Sequence, residues 1–408
     1  MTAVSVRCRS CGAADLELIL SLGETPLANA LLTAEQRSQP EPRFPLDLVY
    51  CPACALVQIT ETVPPEQLFS HYLYLSSFSD TMLQSAEEVA NRLTDRRGLG
   101  PGSLVVELAS NDGYLLQYYQ RRQVPVLGIE PAANVAKVAQ ERGIPTLVRF
   151  FGKEGAGELR AQGKTADIIH ANNVLAHVAD LNGFVAGIAL LLKDTGVAVI
   201  EVPHVKALVE HLEFDTIYHE HLCYYSLTAL KPLFQRHGLT LVDVERLPIH
   251  GGSLRFYASQ TGTPSEAVRQ LLAEEAAAGV AQFGFYRDFG QKVAGLRGRL
   301  RSVLASLKGE GKRLAAYGAS AKGSTLLNYF GINGGTLDFV VDRSTVKQGF
   351  YTPGTHLPIL PPQALLERRP DYVLLLSWNF ADEILAQQSA YRQQGGRFII
   401  PIPDVKVV

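Results

Sequence analysis

A chain of 408 residues has room for two or three domains, each large enough to bury a core of its own. With 47% apolar and 19% charged residues and a net charge of -2, it has the composition of an ordinary globular protein, and its charge draws neither nucleic acid nor an anionic membrane surface. It contains no apolar run of 18 residues and no basic-then-apolar leader, so a cytoplasmic location without membrane contact is expected.

Four of the five cysteines fall into two Cys-x-x-Cys pairs, Cys8 with Cys11 and Cys51 with Cys54. Four thiolates fill the tetrahedral shell of Zn2+ and leave no position for a substrate, so a structural zinc module is expected over residues 1–66. A redox dithiol is the alternative, but it needs one pair rather than two. So short a segment buries little core, and the metal would supply much of its folding energy. Between the pairs lie Ser21–Asn29 and a segment broken by Pro40, Pro42 and Pro45.

From residue 67 to 260 the pattern becomes α/β. His71–Tyr74, with the phenol of Tyr72, precedes a helical alternation over Ser79–Arg97. Leu104–Leu108 reads as a buried parallel strand carrying Glu107; it runs into the loop Ala109–Gly113 and then a helix over Tyr114–Gln123. A second strand, Val126–Ile129, ends at Glu130-Pro131, which places a carboxylate where two ribose hydroxyls can donate to it. The loop lacks the G-x-G-x-x-G that a pyrophosphate demands, because Ala109 and Asn111 stand where glycines would be. A ligand with a ribose and no phosphates fits better, and S-adenosylmethionine is the common one. The stretch Asp167–His177 repeats the strand-then-loop arrangement and brings Asn172, Asn173 and His177 to the same crevice. Glu107, Ala109, Asn111, Gly113, Glu130, Pro131, Asn172 and Asn173 are therefore the expected cofactor set of a class I methyltransferase fold.

The densest chemistry lies in Tyr218–Ser226, YHEHLCYYS. A phenol, two imidazoles and a carboxylate in four residues can take a proton, return it and steady a negative charge. On a helical turn Tyr218 and His221 are i,i+3 neighbours with Glu220 pointing elsewhere, and His219 is expected to face away as a structural residue. The alternative is a solvated polar turn. Leu239–Glu245 and Ser253–Ala258 read as closing strands around Gly251-Gly252, with His250 beside the turn as cap or pocket wall.

A helical region over Pro264–Lys308 leads to a second nucleotide-type fold over residues 261–408. Strand Leu314–Tyr317 opens into Gly318–Thr325, where Gly318 and Gly323 have P-loop spacing but Ser324 takes the place of the phosphate lysine, so NTP hydrolysis is not expected. Backbone amides near Ser320 and Gly323, with Lys322, can still cradle a diphosphate. Two further strands end at Asp342-Arg343 and at Ser377-Trp378-Asn379, and the three tips should share a crevice. Trp378 reads equally as core. The loop Lys347–Gly354, with Lys347 and Tyr351, is costly to keep unless it grips something. The alternative is a fold that once held NAD and now only packs.

Taken together, the two cysteine pairs, ELASNDG (107–113), HANNVLAHV (170–178), YHEHLCYYS and HGGSLR (250–255) resemble the C-methyltransferases of nucleotide-linked deoxysugars, over essentially the whole chain. The resemblance implies an α/β protein with an N-terminal zinc module, a central Rossmann-like methyltransferase domain and a C-terminal Rossmann-like domain. It implies methylation of a 4-keto-deoxysugar at C3, as in antibiotic deoxysugar biosynthesis, with TDP the expected nucleotide and GDP the alternative. His221 would take the C3 proton, and Tyr218, Glu220, His177 and Tyr72 would line the sugar pocket. Ser320, Lys322, Gly323, Asp342, Arg343, Lys347 and Tyr351 would hold the nucleotide diphosphate in a monomeric enzyme. The residue inventory agrees with this chemistry, since a carbon beside a ketone needs one base and donors at the ketone oxygen. Two competing readings are an RNA-modifying methyltransferase, which calls for a basic face, and a methylating ketoreductase, which calls for a dinucleotide loop; a non-catalytic sugar-nucleotide sensor would leave His221 dispensable.

Overall fold

The computed structural model describes residues 6–65, 68, 75–78, 80–248 and 251–408; Tyr72 and His250 lie outside the described residues. Three sheets form among them. The first is an antiparallel meander of β1 (Glu17–Pro26), β2 (Arg43–Tyr50) and β3 (Val57–Ile59), with Glu17 opposite Tyr50 and Leu48 opposite Ile59. Its fourth strand comes from far along the chain, and Val57 pairs with Tyr224 of the short strand Cys223–Tyr224 (β9 in chain order).

The second sheet has β4 (Val105–Leu108), β5 (Val126–Ile129), β6 (Thr146–Leu147), β7 (Ala166–Asn172) and β8 (Leu192–Pro203) all parallel. The antiparallel hairpin β10 (Thr240–Leu247) and β11 (Ser253–Ser259) closes it against β8 in the order β10-β11-β8-β7-β4-β5-β6. Every residue of β4 and β5 is buried, as expected of parallel strands covered on both faces. One face packs under Val89 and Leu93 of the helix Asp80–Arg97 and Tyr119 of the helix Leu116–Arg121; the other receives Phe184, Val185 and Ile188 of the helix Leu181–Leu191. Strand order reverses between β4 and β7, the switch point at which such sheets bind ligands.

The third sheet contains β12 (Leu314–Tyr317), β13 (Val340–Val341), β14 (Ile359–Leu360), β15 (Tyr372–Leu375), β16 (Arg397–Ile400) and β17 (Lys406–Val407), in the order β14-β13-β12-β15-β16-β17. Only the β16–β17 pair is antiparallel.

Between the second and third sheets the expected helical region is two helices rather than one. Glu266–Ala278 ends where Gly279 adopts φ 79°, a left-handed cap that glycine takes without strain, and Phe289–Gly309 follows. The second helix buries the stripe Val293, Leu296, Leu300 and Leu304, and its Gly290 sits 3.4 Å, measured from the position a Cβ would occupy, from the carbonyl of Ile19 in β1. From the first, Glu275 reaches back to accept hydrogen bonds from His204 Nε2 and from the amides of Leu227 and Thr228, which ties it to the methyltransferase sheet.

The loop after β13 holds the first sheet. Leu32 and Tyr351 exchange backbone hydrogen bonds, and the carboxylate of Glu41 accepts from the amide of Gly354 at 2.8 Å and from His356 Nε2 at 2.6 Å. The grip expected of residues 347–354 thus falls in part on the N-terminal segment itself. No helix among the described residues is long and apolar enough to cross a membrane.

Candidate functional site

The tips of the second and third sheets face each other across a cavity of about 1060 Å3, with Asn29 of the N-terminal segment on its wall. Tyr218 and His221 stand where the two halves meet. The expected turn is present: the amide of His221 donates to the carbonyl of Tyr218 at 2.8 Å, which brings the two rings to 4.1 Å between centroids. His221 Nδ1 lies 3.0 Å from the carbonyl oxygen of Thr216, and a carbonyl can only accept, so Nδ1 carries the hydrogen. In the neutral ring the lone pair is then on Nε2, 2.9 Å from the hydroxyl of Tyr218. His177 packs edge-on against His221 at 4.9 Å, and burial pushes its imidazole down to about 4, which keeps it neutral at physiological pH.

Glu220 points away from the cavity wall. It is buried, and its Oε1 accepts a hydrogen bond from Asn29 Nδ2 at 2.7 Å. Burial pushes its carboxyl up to about 7, against the amide of Asn29, which holds it down. His219 is buried toward the first sheet, where its Nε2 meets the carbonyl of Pro45 at 3.1 Å and its ring stands edge-on to Phe44.

At the methyltransferase end, Ala109, Asn111, Glu130, Pro131, Asn172 and Asn173 all reach the wall. Ala109 (φ 52°) and Asn111 (φ 49°) adopt the left-handed turn conformations that glycine usually supplies. Glu130 locks that turn: Oε2 accepts from the amide of Asn111 and Oε1 from the amide of Ala132. The side-chain carbonyls of Asn172 and Asn173 are buried without a protein partner, as acceptors for the ammonium of a bound amino acid would be. These residues fit S-adenosylmethionine. Glu107 and Gly113 stay off the wall. Glu107 is fully buried behind the tip of β4, and a Cβ at Gly113, where φ is 78°, would lie 2.9 Å from Ile144.

At the opposite end, Ser320, Lys322, Asp342, Arg343 and Lys347 line the cavity, so the tips of β12, β13 and β15 do converge. Ser320 caps the helix Ala321–Phe330 by accepting from the amide of Gly323. Asp342 is occupied by the amides of Ala319 and Ser344, and Lys347 donates to the carbonyl of Ala319. Gly323 lies behind the wall, where a Cβ would sit 3.0 Å from both Gly318 O and Leu376 Cβ, so it serves close helix–strand packing. Tyr351 is also off the cavity, with its ring under the guanidinium of Arg37. Arg343 is bound to Glu383 at 3.4 Å.

The four cysteine sulfurs lie within 4.8 Å of one another, with Cys8 and Cys54 at 3.4 Å and Cys11 and Cys51 at 3.6 Å. A tetrahedral zinc with Zn–S of about 2.3 Å spaces its sulfurs by about 3.8 Å, so the donor set fits. Each pair closes in the same way: the carbonyls of Cys8 and Cys51 accept from the amides of Gly12 and Ala55, both at positive φ. The hydrogen bond between Cys8 and Cys54 draws the Cys8 thiol down and pushes the Cys54 thiol up, since one sulfur holds the hydrogen that steadies the other as thiolate.

Several residues at the site went unassigned in the sequence. Asn29 lies between the cysteine pairs with no local signal of a role, and nothing local marks Thr216 as the partner of His221. Trp378, left between core and site, donates Nε1–H to Asp215 at 2.7 Å.

Residues 8–69 match the model of a zinc binding domain, residues 82–244 that of a methyltransferase domain, and residues 248–403 that of a C-methyltransferase C-terminal domain. The C-methyltransferase NovU of Streptomyces niveus is 37% identical over 404 residues, spanning 98% of this chain and 96% of that one. Among solved structures, the magnesium protoporphyrin IX methyltransferase of Synechocystis PCC 6803 with bound SAM is 14% identical over 44% of this chain and 79% of its own, at a TM-score of 0.34. The PH0226 protein of Pyrococcus horikoshii OT3 is 14% identical over 49% of this chain and 100% of its own, at 0.37. At these scores the two structures add nothing to the family assignment. Matched from the cysteine knuckles to the last sheet, the chain belongs to the zinc-containing, S-adenosylmethionine-dependent C-methyltransferases.

Proposed function

We propose that the protein transfers a methyl group to C3 of a nucleotide-linked 4-keto-deoxysugar, with His221 as the base. The observation that carries this reading is the hydrogen bond from His221 Nδ1 to Thr216, which leaves a lone pair on Nε2 beside the Tyr218 hydroxyl on the cavity wall. A carbon next to a ketone loses its proton because the carbanion delocalises as an enolate. Substrate takes the Tyr218 hydrogen away from Nε2, which then accepts the C3 proton, while the released Tyr218 hydroxyl donates to the oxygen that becomes negative, with neutral His177 beside His221. Asn111, Glu130, Asn172 and Asn173, at the methyltransferase end of the cavity, would hold S-adenosylmethionine, which when bound would supply the electrophilic methyl and leave as S-adenosylhomocysteine.

In the same reading, residues 1–66 hold the metal, 67–260 the methyl donor and 261–408 the nucleotide diphosphate, near Ser320, Lys322 and Lys347. Binding the remote half of the substrate fixes the sugar over His221, so binding energy is spent on position. TDP remains the expected nucleotide, and the enzyme is proposed to act as a cytoplasmic monomer in antibiotic deoxysugar biosynthesis. The similarity to NovU, a C-methyltransferase, supports the carbon acceptor.

The test is to incubate the protein with S-adenosylmethionine and a panel of TDP- and GDP-linked 4-keto-deoxysugars in D2O. One member of the panel should gain a CH2 by mass; no gain with any would sink the substrate assignment. His221→Ala should abolish both methylation and deuterium exchange at the reacting carbon and leave S-adenosylmethionine binding intact. Exchange that persists in this variant would place the base elsewhere.

A further inference from the structure

The short turn Phe214–Thr216 supplies the carbonyl that fixes His221, yet it is held largely by the C-terminal domain. Phe214 stacks on Phe330 with centroids 4.7 Å apart and planes at 19°. The side chain of Asp215, fully buried, accepts the indole hydrogen of Trp378 at 2.7 Å. The carbonyl of Ile217 accepts from Thr325 Oγ1 at 3.3 Å. Three neighbours of Thr216 are thus anchored to the helix Ala321–Phe330 or to the tip of β15, and Thr216 itself faces the cavity.

We propose that Asp215 and Trp378 are positioning residues that fix, from the C-terminal domain, which nitrogen of His221 carries the hydrogen. A buried carboxylate is costly unless it is hydrogen-bonded, so the indole of Trp378, which donates to Asp215, helps to hold it in place. Trp378 is in turn held between two wall residues, Ser377 and Asn379, with the ammonium of Lys322 4.8 Å above its ring. Burial pushes the Asp215 carboxyl up to about 7, while Lys322 and the indole bond hold it down, so the charged form depends on the same two partners. If the indole is lost, the turn relaxes, the Thr216 carbonyl no longer faces Nδ1, and the hydrogen is free to move to Nε2, where it blocks proton abstraction. The inference rests on the reading of His221 as the base, but the arrangement it describes exists without any sugar.

The experiment uses full-length protein labelled with 15N-histidine, in which long-range 1H–15N NMR correlations report the protonated imidazole nitrogen and His221→Gln identifies the signal. Wild type should show Nδ1–H for His221. Trp378→Phe and Asp215→Ala should show Nε2–H or a mixture, with melting temperature and S-adenosylmethionine binding close to wild type. Asp215→Asn keeps an oxygen for the indole and should retain Nδ1–H. On an accepted sugar, Trp378→Phe should lower kcat at least about 10-fold with the KM for S-adenosylmethionine unchanged. An unchanged Nδ1–H signal in Trp378→Phe overturns the proposal whatever happens to kcat. A changed signal combined with no methylation of any sugar in the panel upholds it and sinks the substrate reading instead.

Discussion

One backbone carbonyl decides the chemistry available to His221. With Nδ1–H given to Thr216, the ring presents a base at Nε2, and no nearby carboxylate is needed to set the tautomer. Glu220, the residue before it, does a different job because burial, eased by Asn29 and by the charge of Lys347, raises its carboxyl to about 7. A carboxyl whose folded pKa lies above its unfolded value favours the fold in its neutral form. Its contribution is full below the unfolded value and is lost as pH rises through the folded one. Replacing Glu220 with Gln, which cannot ionise, should therefore raise the melting temperature by roughly a few degrees at pH 8 and barely at all at pH 5. Equal shifts at both pH values, measured by differential scanning calorimetry, would mean that Glu220 is not titrating in that window.

At the scale of elements, the zinc sheet and the acid-base turn are one structure. The pairing of Val57 with Tyr224 makes the strand that follows His221 the edge of the metal-bound meander, and the amide of Ile59 donates to the carbonyl of Leu222 at 3.0 Å. The cysteine site, whose Cys54 lies just before Val57 in the chain, therefore bears on the base. Removing the zinc with a chelator, or changing Cys54→Ser, should abolish methyl transfer in step with metal loss, because the unit that frames β9 needs the cation to fold. Full activity in metal-free protein, confirmed by elemental analysis, would separate the two. The break at Gly279 belongs to the same scale: an alanine-rich sequence alone suggests continuity, and one left-handed cap turns the chain so that Val293–Leu304 can reach β1.

Across the whole molecule, the N-terminal segment touches both halves of the cleft. Asn29 reaches Glu220, while Leu32 and Glu41 clasp the loop after β13. Glu41→Ala removes two acceptors and leaves the amide of Gly354 and the ring of His356 without them, at a cost of about 1–3 kcal/mol. The expected outcome is a lower melting temperature together with a higher KM for the sugar nucleotide; a change in neither would show that the clasp is incidental.

Much of this was written into the sequence. The cysteine spacing marked the knuckles, continuous apolar runs marked β4 and β5, and the three-residue offset of Tyr218 and His221 put their rings together, because hydrogen-bond periods and metal-ligand spacings act over a few residues. The tertiary structure alone decided the rest. Cys223–Tyr224 is too short to announce which sheet it joins, and Asn29 with Glu220 or Asp215 with Trp378 stand well over a hundred residues apart in the chain. Such partners leave no periodic trace, since they are chosen by which buried polar group finds a donor once the sheets have packed. That choice also moved Tyr351 under Arg37 and kept Glu107 behind the wall rather than on it.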